Sequence, residues 1–266
     1  RLTRWLMSMP PAVLGTTYFN FLASHDGVGL RPVEGLLSSG ELDSMVDCLQ
    51  LNGALLSWRE TAEGDRSIYE VNVSLYDAFK FQNADVETSL ARMILAHAIV
   101  LGLEGIPAIY IHSFLGTQND VERVENTGHN RAINRHQWDK DKLTQRLTDP
   151  ASHHAMCLSR LKALIQIRQC QPAFHPNATQ YTLNCGQSIF GFWRQSHDRR
   201  QSIFCLYNVT DEAISISLAS LNLVGNDSWE DLISGLAPKS VVDGEIELTP
   251  YQAIWLTNRP VLSKSA

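Results

Sequence analysis

The chain has 266 residues, of which 44% are hydrophobic and 19% charged, so it can bury one large core or two moderate ones. A formal net charge of -6 without a lysine- and arginine-rich run argues against a nucleic-acid or anionic-membrane binder, and the most apolar segment, residues 93–101, is too short to span a bilayer. Five scattered cysteines predict reduced thiols in a cytoplasmic protein rather than a disulfide framework or a metal site.

The first part of the chain alternates strand-like and helical patterns. A β-branched and aromatic run at residues 16–22 predicts a buried strand that ends in the polar turn at residues 24–27, Ser-His-Asp-Gly. Helical spacing follows over residues 41–51. Short strands are predicted at residues 55–58 and 68–71.

The middle of the chain predicts a helix at residues 86–103 that leads into a short apolar strand at residues 108–111, a pattern typical of parallel sheets. Residues 113–136 are polar and predict a long loop, which in a compact domain is usually functional or disordered. Residues 153–168 predict another amphipathic helix. Beyond residue 180, short alternating runs predict a separate antiparallel sheet at residues 181–183, 188–194, 202–207, 213–218 and 252–257.

Four short segments carry a family resemblance. In chain order they are residues 21–27 (FLASHDG), 69–72 (YEVN), 107–110 (PAIY) and 130–136 (NRAINRH). Each is weak alone, but their order and spacing over roughly the first 170 residues resemble glycoside hydrolase family 13, the α-amylase superfamily, and within it the sucrose phosphorylase subfamily.

The resemblance implies an α/β fold. Residues 1–172 would form the C-terminal portion of a (β/α)8 TIM barrel, with an inserted subdomain at about 27–85 and an active-site loop at about 113–136. Residues 173–266 would form a small antiparallel all-β domain. The first residues have no initiator Met and no signal-peptide layout, so we expect a fragment whose N-terminal half of the barrel is missing. Such a piece is expected to pair with that half or to form a homo-oligomer.

The resemblance also implies an activity. The parent would be a retaining α-glucosyl phosphorylase that uses inorganic phosphate as co-substrate and needs no metal or other cofactor, with sucrose as the first candidate donor. Its nucleophile and general acid would precede residue 1, so this chain alone is expected to be inactive. Phosphorylases of sucrose 6′-phosphate, glucosylglycerol or glucosylglycerate, an amylase-like hydrolase, and a non-catalytic remnant or interaction module stay open.

Asp26 is the central candidate residue. By resemblance its carboxylate grips sugar hydroxyls and stabilises an oxocarbenium-like transition state. His25 would donate to the same glucose, and Arg131 would contact it from the opposite rim. From the residues alone, the turn at Asp26 fits a structural Asx turn as well as a binding role. Arg131 and Arg135 have the alternative of loop-anchoring ion pairs, with Arg131 favoured for the glucose contact and Arg135 for the structural role.

Three further candidates lie in the polar segment at residues 113–136. By resemblance, the stretch that contains Gln118 and Asp120 shapes the acceptor and phosphate side of the site. His129 is a candidate contact for phosphate or acceptor, although loop histidines are more often simply solvated.

Overall fold

The computed structural model describes residues 1–13, 15–60, 64, 66–80, 84–221, 229–237 and 244–261. The chain forms two compact units. The first unit contains Arg1–Asn20, Ile94–Pro107 and Lys162–Ala266, and the second contains Phe21–Met93 and Ala108–Leu161. The boundary expected near residue 172 and the limits of the insert stay predictions.

The described residues form helices and strands that alternate in the first two thirds of the chain and are mainly strands afterwards. The helices are α1 Leu2–Ser8, α2 Ser39–Leu51, α3 Leu75–Ala78, α4 Val86–Gly102, α5 Ile111–Phe114, α6 Val121–Thr127, α7 Lys140–Thr148 and α8 His153–Cys170. The strands are β1 Phe19–Asn20, β2 Val28–Gly29, β3 Leu55–Glu60, β4 Arg66–Asn72, β5 Ile106–Pro107, β6 Thr179–Leu183, β7 Ile189–Gln195, β8 Ser202–Asn208, β9 Ile214–Ser217, β10 Glu230–Asp231, β11 Glu245–Leu248 and β12 Ala253–Thr257.

The first unit is built on an antiparallel sheet. Five strands pair in the order β10-β12-β8-β7-β6, β9 pairs with β11, and a short parallel pair joins β1 to β5. Phe174, Tyr207 and Trp255 are buried in its core. The fully buried Arg194 donates 2.8 Å hydrogen bonds to the carbonyls of Gly102 and His175, which satisfies backbone groups that water cannot reach.

The second unit contains the three-stranded antiparallel sheet β2-β4-β3. Val46 of α2 packs in one apolar cluster with Leu30, Ala54 and Val71. Helix α2 begins earlier than predicted because the carboxylate of Glu41 accepts a 2.9 Å hydrogen bond from the Ser38 amide, as in a capping box.

Three predicted elements differ from the structure. The run at residues 16–22, predicted as a buried strand, forms only the two-residue β1, in which Phe19 is exposed. The apolar run at residues 108–111 is not a strand: β5 ends at Pro107, and α5 begins at Ile111. A short apolar run does not distinguish a strand from a helical turn, and here the tertiary contacts decide. The segment at residues 113–136 is not a continuous loop, because α6 lies within it between the N-cap Asp120 and the left-handed Gly128.

The described residues offer neither a membrane-spanning helix nor a metal-binding cluster. None of the helices in that part of the chain has the length and hydropathy required to cross a bilayer. The same residues contain no group of three or more His, Cys, Asp and Glu side chains placed to hold a metal ion.

Candidate functional site

His25 and Asp26 lie at the tip of a tight turn. Ser24 and Gly27 close this turn with two backbone hydrogen bonds, of 3.3 and 3.2 Å. Gly27 has φ +118°, and a Cβ at this position would lie 2.4 Å from the carbonyl oxygen of Val71. The turn therefore requires glycine, both for its backbone conformation and for the close approach of β4.

Three side chains hold three consecutive carbonyls of this turn. They come from β4 and from the short 3-10 turn Asn130–Asn134 and the residue after it. The bonds are Asn134 Nδ2 to Ser24 O at 2.8 Å, Arg135 Nε to His25 O at 3.2 Å, and Asn72 Nδ2 to Asp26 O at 2.7 Å. Contacts from distant parts of the sequence therefore fix the position of the Asp26 carboxylate.

Three basic groups converge on one carboxylate oxygen of Asp26. Oδ1 lies 2.8 Å from Arg135 Nη2, 3.3 Å from His25 Nε2 and 3.4 Å from Arg131 Nε. The side chain keeps 31% of its surface exposed, and the residues that the structure describes make no hydrogen bond to Oδ2. Asp26 is thus held by three basic groups at one carboxylate oxygen, and its other oxygen is open to a ligand.

Arg131 has a second and closer acidic partner. Its Nε lies 3.0 Å from Glu70 Oε2 and its Nη2 3.5 Å from Glu70 Oε1, while the Glu70 side chain is 8% exposed. The hydrogen bonds and charge of Glu70 raise the pKa of Arg131. Arg131 therefore bridges a buried carboxylate and Asp26, whereas Arg135 makes the shorter bond to Asp26.

Arg131 and Arg135 also line a cleft of about 720 Å³ in the second unit. Arg123 and His129 stand in its wall as well, and no carboxylate does. Arg131 and Arg135 already pair with Asp26 and Glu70, whereas Arg123 has no ion-pair partner among the described residues. Three guanidinium groups against two carboxylates leave a net positive charge, which suits an anionic ligand. The predicted residues His129 and Arg131 thus meet here, next to Asp26.

The predicted residues Gln118 and Asp120 line a different cavity, of about 810 Å³. Both oxygens of Asp120 have partners: Oδ1 caps α6 by accepting from the Arg123 amide at 2.9 Å, and Oδ2 lies 2.7 Å from His136 Nδ1. The structure therefore brings Asp26, His25 and Arg131 together and places Gln118 and Asp120 on another surface. Their substrate-binding roles stay predictions.

The first unit has a more apolar cleft of about 850 Å³. Trp5, Met7 and Tyr181 line it, together with the paired imidazoles of His175 and His197, 3.3 Å apart. None of the predicted site residues lines this cleft.

Sequence reasoning missed Glu70, Asn72 and Asn134 as parts of the site. All three lie inside segments that carry the family resemblance. Residues 70 and 72 are two positions apart on β4, so their side chains lie on one face of the strand. That alternation is the signal that points to them.

The fold is similar to that of known carbohydrate enzymes. Sucrose 6F-phosphate phosphorylase from Thermoanaerobacter thermosaccharolyticum superposes with a TM-score of 0.58 at 24% identity, over 71% of this chain and 36% of that one. AmyP in complex with maltotriose gives 0.56 at 16% identity, over 72% and 40%. At these identities the likeness shows the fold alone, which is of the mixed α/β class.

The curated relatives specify the subfamily, while no protein-family model matches the chain. Glucosylglycerate phosphorylase of Escherichia coli (strain K12) is 38% identical over 96% of this chain, and that of Allomeiothermus silvanus is 35% identical over 96%. Sucrose phosphorylase of Streptococcus mutans is 32% identical over 56%. The chain is homologous to the C-terminal part of the sucrose phosphorylase subfamily of glycoside hydrolase family 13, and it spans 44%, 43% and 29% of the lengths of these three relatives.

Proposed function

We propose that the chain is the C-terminal part of a retaining α-glucosyl phosphorylase, which replaces the acceptor of an α-glucoside by inorganic phosphate and releases α-glucose 1-phosphate. One observation carries the proposal: Arg131 and Arg135 converge on Asp26 Oδ1 and also line the acid-free cleft beside it. The carboxylate proposed to bind the sugar is thus adjacent to the surface proposed to bind the anion. Phosphate is a co-substrate in this proposal, and no metal or organic cofactor takes part.

Asp26 would act on the glucosyl group as its glycosidic bond breaks. Positive charge develops on the anomeric carbon and ring oxygen in the transition state. A fixed carboxylate that accepts hydrogen bonds from the sugar hydroxyls stabilises that charge more than it stabilises the neutral ground state. Arg135, Arg131 and the anchored turn would hold this carboxylate in position. The nucleophile and the general acid would come from outside the 266 residues, so these residues alone are expected to show no phosphorolysis.

The cleft lined by Arg123, His129, Arg131 and Arg135 would receive the anions of the reaction. Phosphate must approach the glucosyl-enzyme ester, and guanidinium groups bind phosphate and carboxylate oxygens in pairs. An acceptor that itself carries a carboxylate gains from the same cationic wall. This electrostatic character favours an anionic acceptor over a neutral one.

We infer that the acceptor is glycerate, so that the donor is glucosylglycerate. Three glucosylglycerate phosphorylases match 91–96% of this chain at 33–38% identity. Relatives named for sucrose, glucosylglycerol or sucrose 6(F)-phosphate match 56–72% of it at 27–32%. Sucrose, the first candidate from the sequence, is therefore the second candidate here.

The test is an acceptor screen on the full-length protein. Glucosylglycerate, sucrose, sucrose 6′-phosphate and glucosylglycerol are offered separately with inorganic phosphate, and glucose 1-phosphate is measured. We expect the highest kcat/KM with glucosylglycerate. Fastest release from sucrose would move the proposal to the second candidate. Release of free glucose without phosphate dependence would support an amylase-like hydrolase, and no release from any donor would support a non-catalytic remnant.

A further inference from the structure

The cavity of about 810 Å³ contains Gln118 and Asp120, which the site around Asp26 does not use. Its wall shares no residue with the wall of the cationic cleft. The cavity falls within the size range of small-molecule sites and combines charged, aromatic and hydrogen-bonding side chains.

One wall of this cavity is a face of α7. Lys142, Gln145 and Arg146 are spaced i, i+3 and i+4, which places them on the same side of the helix. In the described ranges of the chain, neither Lys142 nor Arg146 has an ion-pair partner. Two unpaired cations four residues apart are suited to one dianionic group.

The floor of the cavity supplies hydrogen-bond acceptors. His153 Nε2 lies 3.1 Å from the Gly116 carbonyl, and His154 Nδ1 lies 2.8 Å from the Leu115 carbonyl. Since a carbonyl only accepts, each of these nitrogens carries the proton. Burial lowers the pKa of His153 to about 4 and lowers that of His154, so both rings are neutral near pH 7. The other nitrogen of each ring is then an acceptor for a hydroxyl group.

An aromatic side chain completes the floor. The indole of Trp138 lies edge-to-face with His154, with ring centroids 5.2 Å apart, and donates a 3.0 Å hydrogen bond to Thr117 Oγ1. An indole held in this way offers an apolar surface to the C–H face of a sugar ring. The Asp120 carboxylate, which also lines the cavity, lies 2.7 Å from His136 Nδ1.

The cavity is held in shape by buried polar contacts. The side-chain oxygen of Asn119 accepts a 2.8 Å hydrogen bond from the Ser74 backbone amide. The backbone amide of Asn119 donates to the buried carboxylate of Asp77 at 2.5 Å. Asp77 is 4% exposed and also pairs with Lys80. A site whose residues are already held in place loses less entropy on binding.

We propose that this cavity binds a phosphorylated monosaccharide, with the phosphate between Lys142 and Arg146 and the sugar hydroxyls on His153 and His154 beside Trp138. The proposal goes beyond the proposed function and stands without it. A phosphate alone would leave the acceptors and the indole unused, and a neutral sugar would leave the two cations unused.

The test is calorimetric titration of the full-length protein with glucose 6-phosphate, which is neither substrate nor product of the proposed reaction. We expect one bound equivalent, and binding at least about tenfold weaker for glucose and for inorganic phosphate. The Lys142→Ala/Arg146→Ala variant is expected to weaken glucose 6-phosphate binding by about tenfold or more. Both residues are exposed on a helix where alanine is favourable, so the variant should fold, and its circular dichroism and melting temperature check this.

The matched control is Arg123→Gln, which removes one cation from the other cleft. We expect it to change glucose 6-phosphate binding by less than about twofold. Absence of binding, equal affinity for inorganic phosphate, or unchanged affinity in the Lys142→Ala/Arg146→Ala variant would each overturn the proposal. Glucose 1-phosphate release is measured separately on the same variants, so failure here is distinct from failure of the proposed function.

Discussion

Arg135 holds Asp26 in two ways with one guanidinium group. Its Nη2 donates to Asp26 Oδ1 at 2.8 Å, and its Nε donates to the carbonyl of the preceding His25 at 3.2 Å. The same side chain therefore sets both the charge environment of the carboxylate and the backbone that carries it. The planar fork of arginine makes this double contact possible, and an ammonium group cannot reproduce it.

Substitution of Asp26 is the most direct test of the site. In the full-length protein we expect Asp26→Asn to lower kcat by about 10²- to 10⁴-fold, because the amide loses the charge that opposes the developing cation. The partly exposed ion pairs of Asp26 contribute little to folding, so the unfolding free energy should change little. Steady-state kinetics and denaturant unfolding measure the two effects. Near-normal turnover would remove Asp26 from the catalytic machinery.

The two arginines are expected to respond differently to a conservative change. Arg135→Lys should lower kcat/KM by about 10- to 100-fold, because lysine cannot hold Asp26 Oδ1 and the His25 carbonyl together. Arg131→Lys should cost less than about tenfold, because Glu70 still anchors the ammonium and Asp26 keeps Arg135. Steady-state kinetics of the two variants give the comparison, and their melting temperatures check that both are folded. A larger loss in Arg131→Lys than in Arg135→Lys would contradict this ranking and support the glucose contact predicted for Arg131.

His153 makes stability depend on pH. Burial lowers its pKa to about 4 from an ordinary value of 6.5, so between these values the unfolded chain binds a proton that the folded chain does not. The unfolding free energy therefore falls as pH falls from 6.5 towards 4, and the contribution is absent above pH 6.5. After allowance for partial exposure, we expect His153 to account for about 1 kcal/mol of the loss between pH 7 and pH 5.

Unfolding in denaturant at pH 7 and pH 5 measures this effect in the wild type and in His153→Gln. The glutamine does not titrate, so the variant should lose about 1 kcal/mol less than the wild type over that interval. Ionisable groups that do not contact His153 contribute equally in the two proteins and cancel in the comparison. Equal losses in the two proteins would show that His153 does not titrate as the structure indicates.

Gly27 should be the least replaceable residue of the turn. We expect Gly27→Ala to cost about 2–4 kcal/mol of unfolding free energy, because the added Cβ meets the Val71 carbonyl and φ is positive. Gly35, with φ +78° and no atom within 4 Å of a built Cβ, is the matched control. Its replacement by alanine should cost about 1 kcal/mol. Thermal or denaturant unfolding compares the variants, and equal costs would contradict the close approach.

Strong periodic patterns predicted the long elements well. The helices expected at residues 86–103 and 153–168 are present as α4 and α8, and the alternating runs beyond residue 180 are strands β6 to β9 and β12. The two helices are stabilised by the apolar side chains that they bury, among them Leu95 of α4 and Leu164 of α8, which pack in one cluster. The segment at residues 113–136 was predicted without its helix, although Asp120 and Gly128 are the capping residues expected at its two ends.

The amino-acid sequence by itself determined the family, the α/β class and the motif segments that contain Asp26, His25 and Arg131, because local residue types and their order along the chain carry that information. Only the tertiary structure decided that Arg135 is the basic group closest to the Asp26 carboxylate, that the buried Glu70 holds Arg131, and that Gln118 and Asp120 line another cavity. These are pairings between residues up to 109 positions apart. Which partners meet depends on how packed elements orient their side chains, and local sequence does not specify that.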